Sequence, residues 1–404
     1  MRSLPRTFLI AACAAALGLC GCLGKHQPSP RVGGDTLVIY TSLPEGGVSA
    51  PAARAVAAGE RLALSDAGGR VRGRRVRLVE LDAARPGEGP WSPDRVNANA
   101  ERAAGDPKAI AYLGELAYGA SAISVPITND ASLLQVSPMD TLTSLTQSPI
   151  GRPRAGPERY YPQGKRSFAR LVPNDDLLAE TLLELAGEDG AERMAVLFDS
   201  DIYSRELAGQ LIALGRRDGP RPVGREEYSG RVEDIPDIVR RLAEARPDVI
   251  AYAGIANSGT GRLLAQIDRT LPGIAVYAGS GLLDRERDRP IPAAPASVWA
   301  LGPTPPMNAL PARARALSKR LAAGGLSHDR PDALYGYEAM RVVLDAIRAG
   351  GPNRELVRRA GMTIRTRRSP LGRYALRGTG DIDGGRFALW ALRDGRFEFV
   401  RMVD

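Results

Sequence analysis

The amino-acid sequence predicts an α/β protein built from two doubly wound parallel-sheet lobes. The chain has 404 residues, which is too long for one small domain and fits two lobes. Short apolar runs of the buried-strand type alternate with segments of helical spacing, as in βαβ units. This alternation occurs twice in succession, so each set of elements is expected to form its own sheet.

The first set of elements begins with an apolar strand over 36–40. The Ala-rich helix predicted over 48–67 is ended by Gly68 and Gly69. Ser92 is placed to start the next helix, because a proline and an acid follow it in the first turn. The other predicted elements are strands over 76–82, 110–114 and 133–136, a helix near 121–130, and a polar insertion at 148–166.

The second set repeats the pattern and ends in a hairpin. Its predicted strands cover 194–198, 248–253 and 275–277, and its predicted helices cover about 176–187, 204–216, 235–245 and 259–269. A Pro-rich segment at 284–311 is predicted to be a crossover, and helices near 312–323 and 332–349 follow it. Residues 387–392 and 397–400 surround Asp394-Gly395 and predict the hairpin. Ligands of doubly wound folds bind beyond the carboxyl ends of the strands, so the site is expected there.

The N-terminus predicts export from the cytoplasm. The apolar run over 8–19 is too short to span a bilayer, and its length suits the core of a signal peptide. The run ends in Leu-Cys-Gly-Cys, which resembles the bacterial lipobox, where a small residue precedes a cysteine that becomes the lipidated N-terminus. We therefore predict a lipoprotein signal peptide over 1–21.

Cys22 is the expected lipidation site, because Gly21 precedes it. Cys20 fits this pattern less well, because the bulky Leu19 precedes it. A plain signal peptide with chance cysteines is the alternative interpretation. Residues 22–35 are predicted to be a flexible tether between the lipid anchor and the folded lobes.

The composition excludes several kinds of active site and partner. All three cysteines lie within the first 22 residues, and the two histidines, His26 and His328, are far apart, so no His triad, zinc site or thiol nucleophile is expected. We expect no metal and no cofactor. The net charge of +9 is the excess of 55 Lys and Arg residues over 46 Asp and Glu residues. The basic residues are scattered rather than gathered in a basic block, so no nucleic-acid partner is expected.

Five sequence blocks together indicate a known family, namely residues 65–82, 112–116, 136–138 with Thr141, 196–203 and, more weakly, 333–339. These blocks resemble the type I periplasmic binding proteins of the leucine/isoleucine/valine-binding group, which are substrate-binding subunits of ABC importers. The resemblance covers nearly all of 36–404. It implies two lobes that are joined by three crossovers and close on a ligand like a flytrap. Lobe 1 would comprise 36–167 and 297–368, and lobe 2 would comprise 168–296 and 369–404.

The resemblance also implies ligand-binding residues on the first lobe, where backbone and hydroxyl groups of the family hold the carboxylate and amine of an amino acid. Tyr118 stands where the family has a serine, and Gly119 follows it. Met139 and Asp140 replace small residues of the family, and Thr141 is kept. Thr141 is the single residue that best matches a ligand-binding residue of the family, and it is also a candidate N-cap for the segment that follows.

On the second lobe, the resemblance implies that Tyr203 packs on the ligand, although a tyrosine there also suits the core. Ile255 lies at a strand tip where the family often has a second aromatic residue. Ser280 stands where the family has the acid that pairs with the ligand amine. Either Asp140 replaces that acid or the ligand has no ammonium group. The second alternative is favoured, because an acid near a helix N-terminus is stabilising without any ligand.

The function implied is that of an extracytoplasmic, lipid-anchored solute-binding protein. It would act as a monomer, capture an amino acid, amide or small carboxylate, and deliver it to the permease subunits of an ABC importer. A ligand-sensing receptor module of the same fold is the alternative. An enzyme is not expected, because no nucleophile–base pair is present and the Gly-rich segments 254–261 and 378–384 do not match a phosphate-binding loop.

Overall fold

The computed structural model describes residues 30–47, 49–86, 90–286, 291, 297–326 and 330–403. The predicted signal peptide, the lipidation site Cys22 and residues 22–29 of the predicted tether lie outside the described residues. Within the described ranges, no helix is long and apolar enough to cross a bilayer.

Strands and helices alternate along most of the chain. The strands are β1 Thr36–Leu43, β2 Arg70–Val71, β3 Arg74–Asp82, β4 Ala109–Leu113, β5 Leu134–Ser137, β6 Phe168–Arg170, β7 Arg193–Phe198, β8 Arg221–Glu227, β9 Val249–Tyr252, β10 Ala275–Ala278, β11 Val298–Gly302, β12 Arg367–Ser369, β13 Gly372–Tyr374, β14 Phe387–Arg393 and β15 Arg396–Val403. The helices are α1 Ala50–Asp66, α2 Pro93–Gly105, α3 Ser121–Asp130, α4 Asp175–Glu188, α5 Ile202–Arg217, α6 Ile235–Ala245, α7 Thr260–Thr270, α8 Ser280–Glu286, α9 Ala312–Ala323, α10 Asp332–Gly350 and α11 Arg354–Gly361.

The strands form two main sheets, which confirms the predicted fold class. The first sheet has the order β2-β3-β1-β4-β5-β6, and its strands are parallel except for the edge strand β2. The second has the order β15-β14-β11-β10-β9-β7-β8, in which β14 runs antiparallel to both of its neighbours and the remaining neighbours pair in parallel. Central strands such as β4 are buried along their whole length, as expected where helices cover both faces.

The C-terminal half of the chain returns to the first sheet through α10, which packs closely on α1. A Cβ atom at Gly59 would lie 1.9 Å from the carbonyl oxygen of Ala333, and one at Gly336 would lie 2.1 Å from that of Val56. The two helix backbones therefore touch at a contact that only glycine permits. This packing fixes a late part of the sequence to the first lobe.

The structure places two strands differently from the predicted lobe boundaries. β6 pairs with β5 in the first sheet, although residues from 168 onward were assigned to the second lobe. β11 pairs with β10 and β14 in the second sheet, although residues from 297 onward were assigned to the first lobe. Each is the last parallel strand of its sheet before the chain crosses to the other lobe. Both lobe boundaries therefore lie one strand later in the sequence than predicted. The chain passes between the sheets at 171–174, 303–311 and 375–386.

The predicted flexible tether is wrong for its last residues, because 30–35 includes backbone fixed on the first lobe. Val32 is buried in the core, and its amide donates to the Pro352 carbonyl at 2.8 Å. The Arg354 amide donates to the Pro30 carbonyl at 2.7 Å. A single apolar residue in a polar, Gly-rich segment carries no periodicity, so this docking could not be predicted from the sequence.

Candidate functional site

The loops that follow the parallel strands of both sheets meet at one place. Tyr118 and Gly119 follow β4, and Met139, Asp140 and Thr141 follow β5. From the second sheet, Tyr203 follows β7, Ile255 follows β9, and Ser280 follows β10. All eight predicted residues are buried. The carboxyl ends of parallel strands lie at one edge of a sheet, which explains why these loops gather.

Two tyrosines join the lobes across this site. The rings of Tyr118 and Tyr203 form an edge-to-face pair, with centroids 5.7 Å apart and an interplanar angle of 70°. Tyr118 has a positive φ of 58°, which is uncommon for an aromatic residue. Gly119 has a φ of 73°, and a Cβ atom there would lie 2.8 Å from Ile202 Cγ2. Glycine is therefore required where the first lobe touches the start of α5.

The Asp140 side chain caps α3 from within the site. Its Oδ1 atom accepts hydrogen bonds from the Gly119 amide at 3.0 Å and the Leu142 amide at 3.3 Å. Its Oδ2 atom accepts one from the Ser121 amide at 3.1 Å. Asp140 is fully buried. The donors that a helix N-terminus offers to an anion are thus bound to a carboxylate of the protein itself.

Thr141 contacts the second lobe. Its carbonyl accepts a hydrogen bond from the Asp175 amide at 3.0 Å, and Asp175 is the first residue of α4. The expected N-cap role of Thr141 is wrong, because Leu142 occupies the cap position of the short 3-10 turn Thr143–Leu145. The Thr141 hydroxyl is instead beside the Asp175 carboxyl group.

Asp175 is a site residue that the sequence analysis missed. It is fully buried, and within the described part of the chain neither carboxylate oxygen makes a hydrogen bond of ordinary geometry. Burial raises the pKa of Asp175 well above its usual value, and the Thr141 hydroxyl and Arg170 oppose this shift. An acid in the first turn of a helix is common for structural reasons alone, so the Asn174-Asp175-Asp176 run did not stand out.

Tyr203 lies at the start of α5 and is fully buried. Its amide donates to Asp201 Oδ1 at 2.9 Å, and its hydroxyl oxygen is 3.5 Å from Ser280 Oγ. Burial raises the pKa of Asp201 to about 7, and the charges of Asp199 and Asp140 add to this shift. The second lobe thus contributes a ring, a hydroxyl pair and a half-buried acid to the site.

Ile255 and Met139 are buried at strand tips of the second and first sheets, respectively. The Ile255 amide donates to Asp199 Oδ2 at 2.6 Å, which fixes the loop after β9. Tyr252, at the end of β9, turns into the core of the second lobe, and its hydroxyl donates to the Ile255 carbonyl at 3.4 Å. Met139 is packed into the hydrophobic core, and its amide donates to Ser137 Oγ at 3.2 Å.

A small pocket on the first lobe borders this site and contains a second residue that the sequence analysis missed. Its lining includes Trp91, Glu115, Leu116 and Tyr118. The Tyr112 hydroxyl donates to Glu115 Oε1 at 2.7 Å, whereas Oε2 has no hydrogen-bond partner among the described residues. Burial raises the pKa of Glu115 to about 7. A glutamate between two strand-tip residues carries no sequence signal of such burial.

The described residues contain no group of three or more His, Cys, Asp and Glu side chains placed to hold a metal ion. What the strand tips enclose is a set of buried acids, hydroxyls and aromatic rings between two lobes. This arrangement suits recognition of a small polar molecule.

Comparison with known proteins agrees with this architecture. The profile of the periplasmic binding protein family matches residues 41–388, so the chain belongs to that family. This membership confirms the resemblance seen in the sequence. No curated protein matches the chain by sequence.

Solved structures share the fold at low sequence identity. A leucine-binding protein from Thermotoga maritima is 21% identical with a TM-score of 0.73, and the match covers 91% of this chain and 99% of that one. An ABC transporter substrate-binding protein from Desulfitobacterium hafniense in complex with Leu is 20% identical with a TM-score of 0.70, covering 90% and 100%. A solute-binding protein from Rhodopseudomonas palustris in complex with p-hydroxybenzoic acid is 16% identical with a TM-score of 0.73, covering 91% and 97%.

Proposed function

We propose that this protein is an extracytoplasmic solute-binding protein that encloses a small polar ligand between its lobes and delivers it to an ABC importer. The observation that carries the proposal is the meeting of strand-tip loops from both sheets around buried polar groups. Tyr118 contacts Tyr203 there, and Thr141 contacts Asp175. Family membership supports the proposal, because the family comprises solute-binding proteins.

The three segments that join the sheets would act as the hinge. Residues 171–174, 303–311 and 375–386 are short compared with the lobes, so few backbone constraints oppose a rigid-body opening. The structure has the Tyr118 and Tyr203 rings in contact, which corresponds to a closed state. Opening would separate these rings and expose Thr141 and Asp175 to a solute.

Thr141 and Tyr203 are expected to contact the ligand from opposite lobes. The substitution Thr141→Ala removes a hydroxyl and Tyr203→Ala removes a ring, so each should weaken binding by about 0.5–1.5 kcal/mol or more. A thermal-shift screen of the mature protein against amino acids, amides, amines and small carboxylates would identify a binder, and calorimetry would compare the variants. Thr363→Ala, at an exposed position away from the site, is the matched control.

If both site variants bind that solute as tightly as the wild type, the site has been misplaced. Delivery is tested separately by measuring uptake of the same solute in cells that lack the gene. Loss of uptake, restored by the wild-type gene, supports the importer role. Unchanged uptake together with a lost transcriptional or chemotactic response would favour the sensing role.

Lipid attachment at Cys22 is a further expected result. Metabolic labelling with a fatty-acid probe should mark the wild-type protein and the Cys20→Ala variant, because Gly21 precedes Cys22 as in the lipobox. The label should disappear in Cys22→Ala. Labelling that persists in Cys22→Ala but is lost in Cys20→Ala would move the anchor to Cys20.

A further inference from the structure

We propose that the enclosed ligand is an organic cation, a protonated amine or guanidinium, that has no carboxylate at the end bound by the first lobe. This inference rests on the proposed function, because it names the class of solute for the same site. Three observations carry it: the position of the Asp140 carboxylate, the lack of a hydrogen-bond partner for the Asp175 carboxylate oxygens among the described residues, and the aromatic pair of Tyr118 and Tyr203.

Asp140 occupies the place that a ligand carboxylate would need. Its oxygens accept hydrogen bonds from the amides of Gly119, Ser121 and Leu142 at 3.0, 3.1 and 3.3 Å. An incoming carboxylate would find these three donors already occupied. It would also be repelled by the negative charge of Asp140 in a buried setting, which is energetically costly. Asp140 therefore acts as a specificity residue that excludes carboxylates from the N-terminus of α3.

Asp175 is the buried acid that a cationic ligand would neutralise. Both of its carboxylate oxygens are buried, and the described residues provide neither with a hydrogen bond of ordinary geometry. The charged groups that act on it are Glu206 on α5, Arg170 on β6 and Asp140 in the loop after β5. An unpaired buried carboxylate is stabilised by a donor that carries a positive charge.

The guanidinium of Arg170 has partners other than Asp175. Its Nε atom lies 2.9 Å from Asp381 Oδ1, and its other nitrogens donate to the Asp140 carbonyl at 3.0 Å and to Thr146 Oγ1 at 2.7 Å. Glu206 adds negative charge and accepts from the Ser144 amide at 2.9 Å. A ligand cation is thus the group that best complements Asp175.

The surroundings of the site also favour a cation. The rings of Tyr118 and Tyr203 pack edge to face, and aromatic rings attract a positively charged group to their faces. The pKa values of Asp201 and Glu115 are raised to about 7, chiefly by burial, and the charge of Asp140 contributes to both shifts. Asp199 faces Asp201, and Tyr112 faces Glu115. Binding of a cation should therefore draw protons off this acidic cluster.

Matched pairs that differ by one carboxylate test the inference. Agmatine and arginine, tyramine and tyrosine, and 3-methylbutylamine and leucine are titrated by calorimetry into the wild-type protein. We expect at least one amine to bind about tenfold or more tightly than its parent amino acid. That binding should release protons near pH 6.5, measured in buffers of different ionisation enthalpy, and Asp175→Asn should weaken it by about tenfold or more.

Asp140→Ala frees the amides of Gly119, Ser121 and Leu142 to bind a ligand carboxylate. In each matched pair of compounds, this variant should shift the binding preference from the amine toward the amino acid. Asp94→Ala removes an exposed acid from the first turn of α2 and is the matched control, which should keep the wild-type preference. Asp175→Asn keeps the inference testable if Asp140→Ala does not fold. Amine binding that Asp175→Asn leaves unchanged would overturn it.

Two other outcomes separate this inference from the proposed function. Tighter binding of leucine or p-hydroxybenzoate than of every amine would overturn the cation assignment and leave solute binding intact. Binding of none of these compounds would also overturn the cation assignment, while the uptake measurement would still decide the role in transport.

Discussion

The substitution Arg170→Met is expected to lower the free energy of unfolding by about 3–5 kcal/mol, because it leaves a buried acid without its ion-pair partner. Arg170 is fully buried on β6 and pairs with Asp381 in the third connection between the sheets. Its remaining nitrogens donate to the Asp140 carbonyl and to Thr146 Oγ1. Methionine fills a similar volume but donates nothing.

Chemical denaturation measures this effect, and two variants serve as controls. Arg61→Met removes an exposed arginine that pairs with Glu80, so it should cost about 0–1 kcal/mol. Arg170→Met combined with Asp381→Asn should recover part of the loss, because the uncompensated charge is gone. A loss for Arg170→Met no larger than for Arg61→Met would show that the buried ion pair does not hold the connection to the first sheet.

The protein is expected to be more stable near pH 5.5 than near pH 8.5. Burial raises the pKa of Glu60 to about 8 and those of Glu115 and Asp201 to about 7. The folded state therefore binds more protons than the unfolded state in this range. The stability that these groups contribute is complete below their unfolded pKa values and is lost as the pH rises through the folded values. Glu60 alone accounts for a loss of about 3 kcal/mol.

The pKa of Glu355 is shifted in the opposite direction, and it affects stability in a more acidic pH range. The hydrogen bond from Arg358 lowers the pKa of Glu355 to about 2, so its contribution is lost only as the pH falls below the usual range of a glutamate. Between pH 5.5 and 8.5 the buried acids with raised pKa values therefore determine the slope.

Glu60→Gln tests the assignment, because glutamine keeps the size of the side chain and cannot ionise. Glu60 packs against β1, where Thr41 Oγ1 donates to its Oε1 at 3.2 Å. Urea unfolding at pH 5.5, 7.0 and 8.5 should show a flatter profile for Glu60→Gln than for the wild type. Glu101→Gln, on the exposed face of α2, should keep the wild-type slope. A wild-type stability that rises toward pH 8.5 would contradict the sign.

Most of the helices and strands could be predicted from the sequence, because they contain continuous or periodic apolar runs that become buried. The sequence analysis missed β8 because this edge strand, Arg221–Glu227, is polar and mostly half-exposed or exposed. It missed β11 because Val298–Gly302 lies in a Pro-rich segment that hides its apolar run. The short helix α11 was also missed, since its eight residues are too few for a clear helical period.

Within the site, the sequence predicted which loops converge but not how their polar groups pair. Asp140 was expected near the N-terminus of the segment that follows Thr141, whereas its carboxylate accepts hydrogen bonds from the Gly119 and Ser121 amides at the start of α3. Asp175 was overlooked because burial, and not residue type, distinguishes it from an ordinary first-turn acid. The partner of a side chain depends on long-range packing, which the local pattern does not encode.

Capture of a solute between the lobes is tested most directly by small-angle X-ray scattering of the mature protein, with and without the compound that gives the largest thermal shift in the screen. Closure brings Tyr118 against Tyr203 and Thr141 against Asp175, so the radius of gyration should be smaller when the compound is bound at saturation. An unchanged radius at saturation would contradict capture by lobe closure.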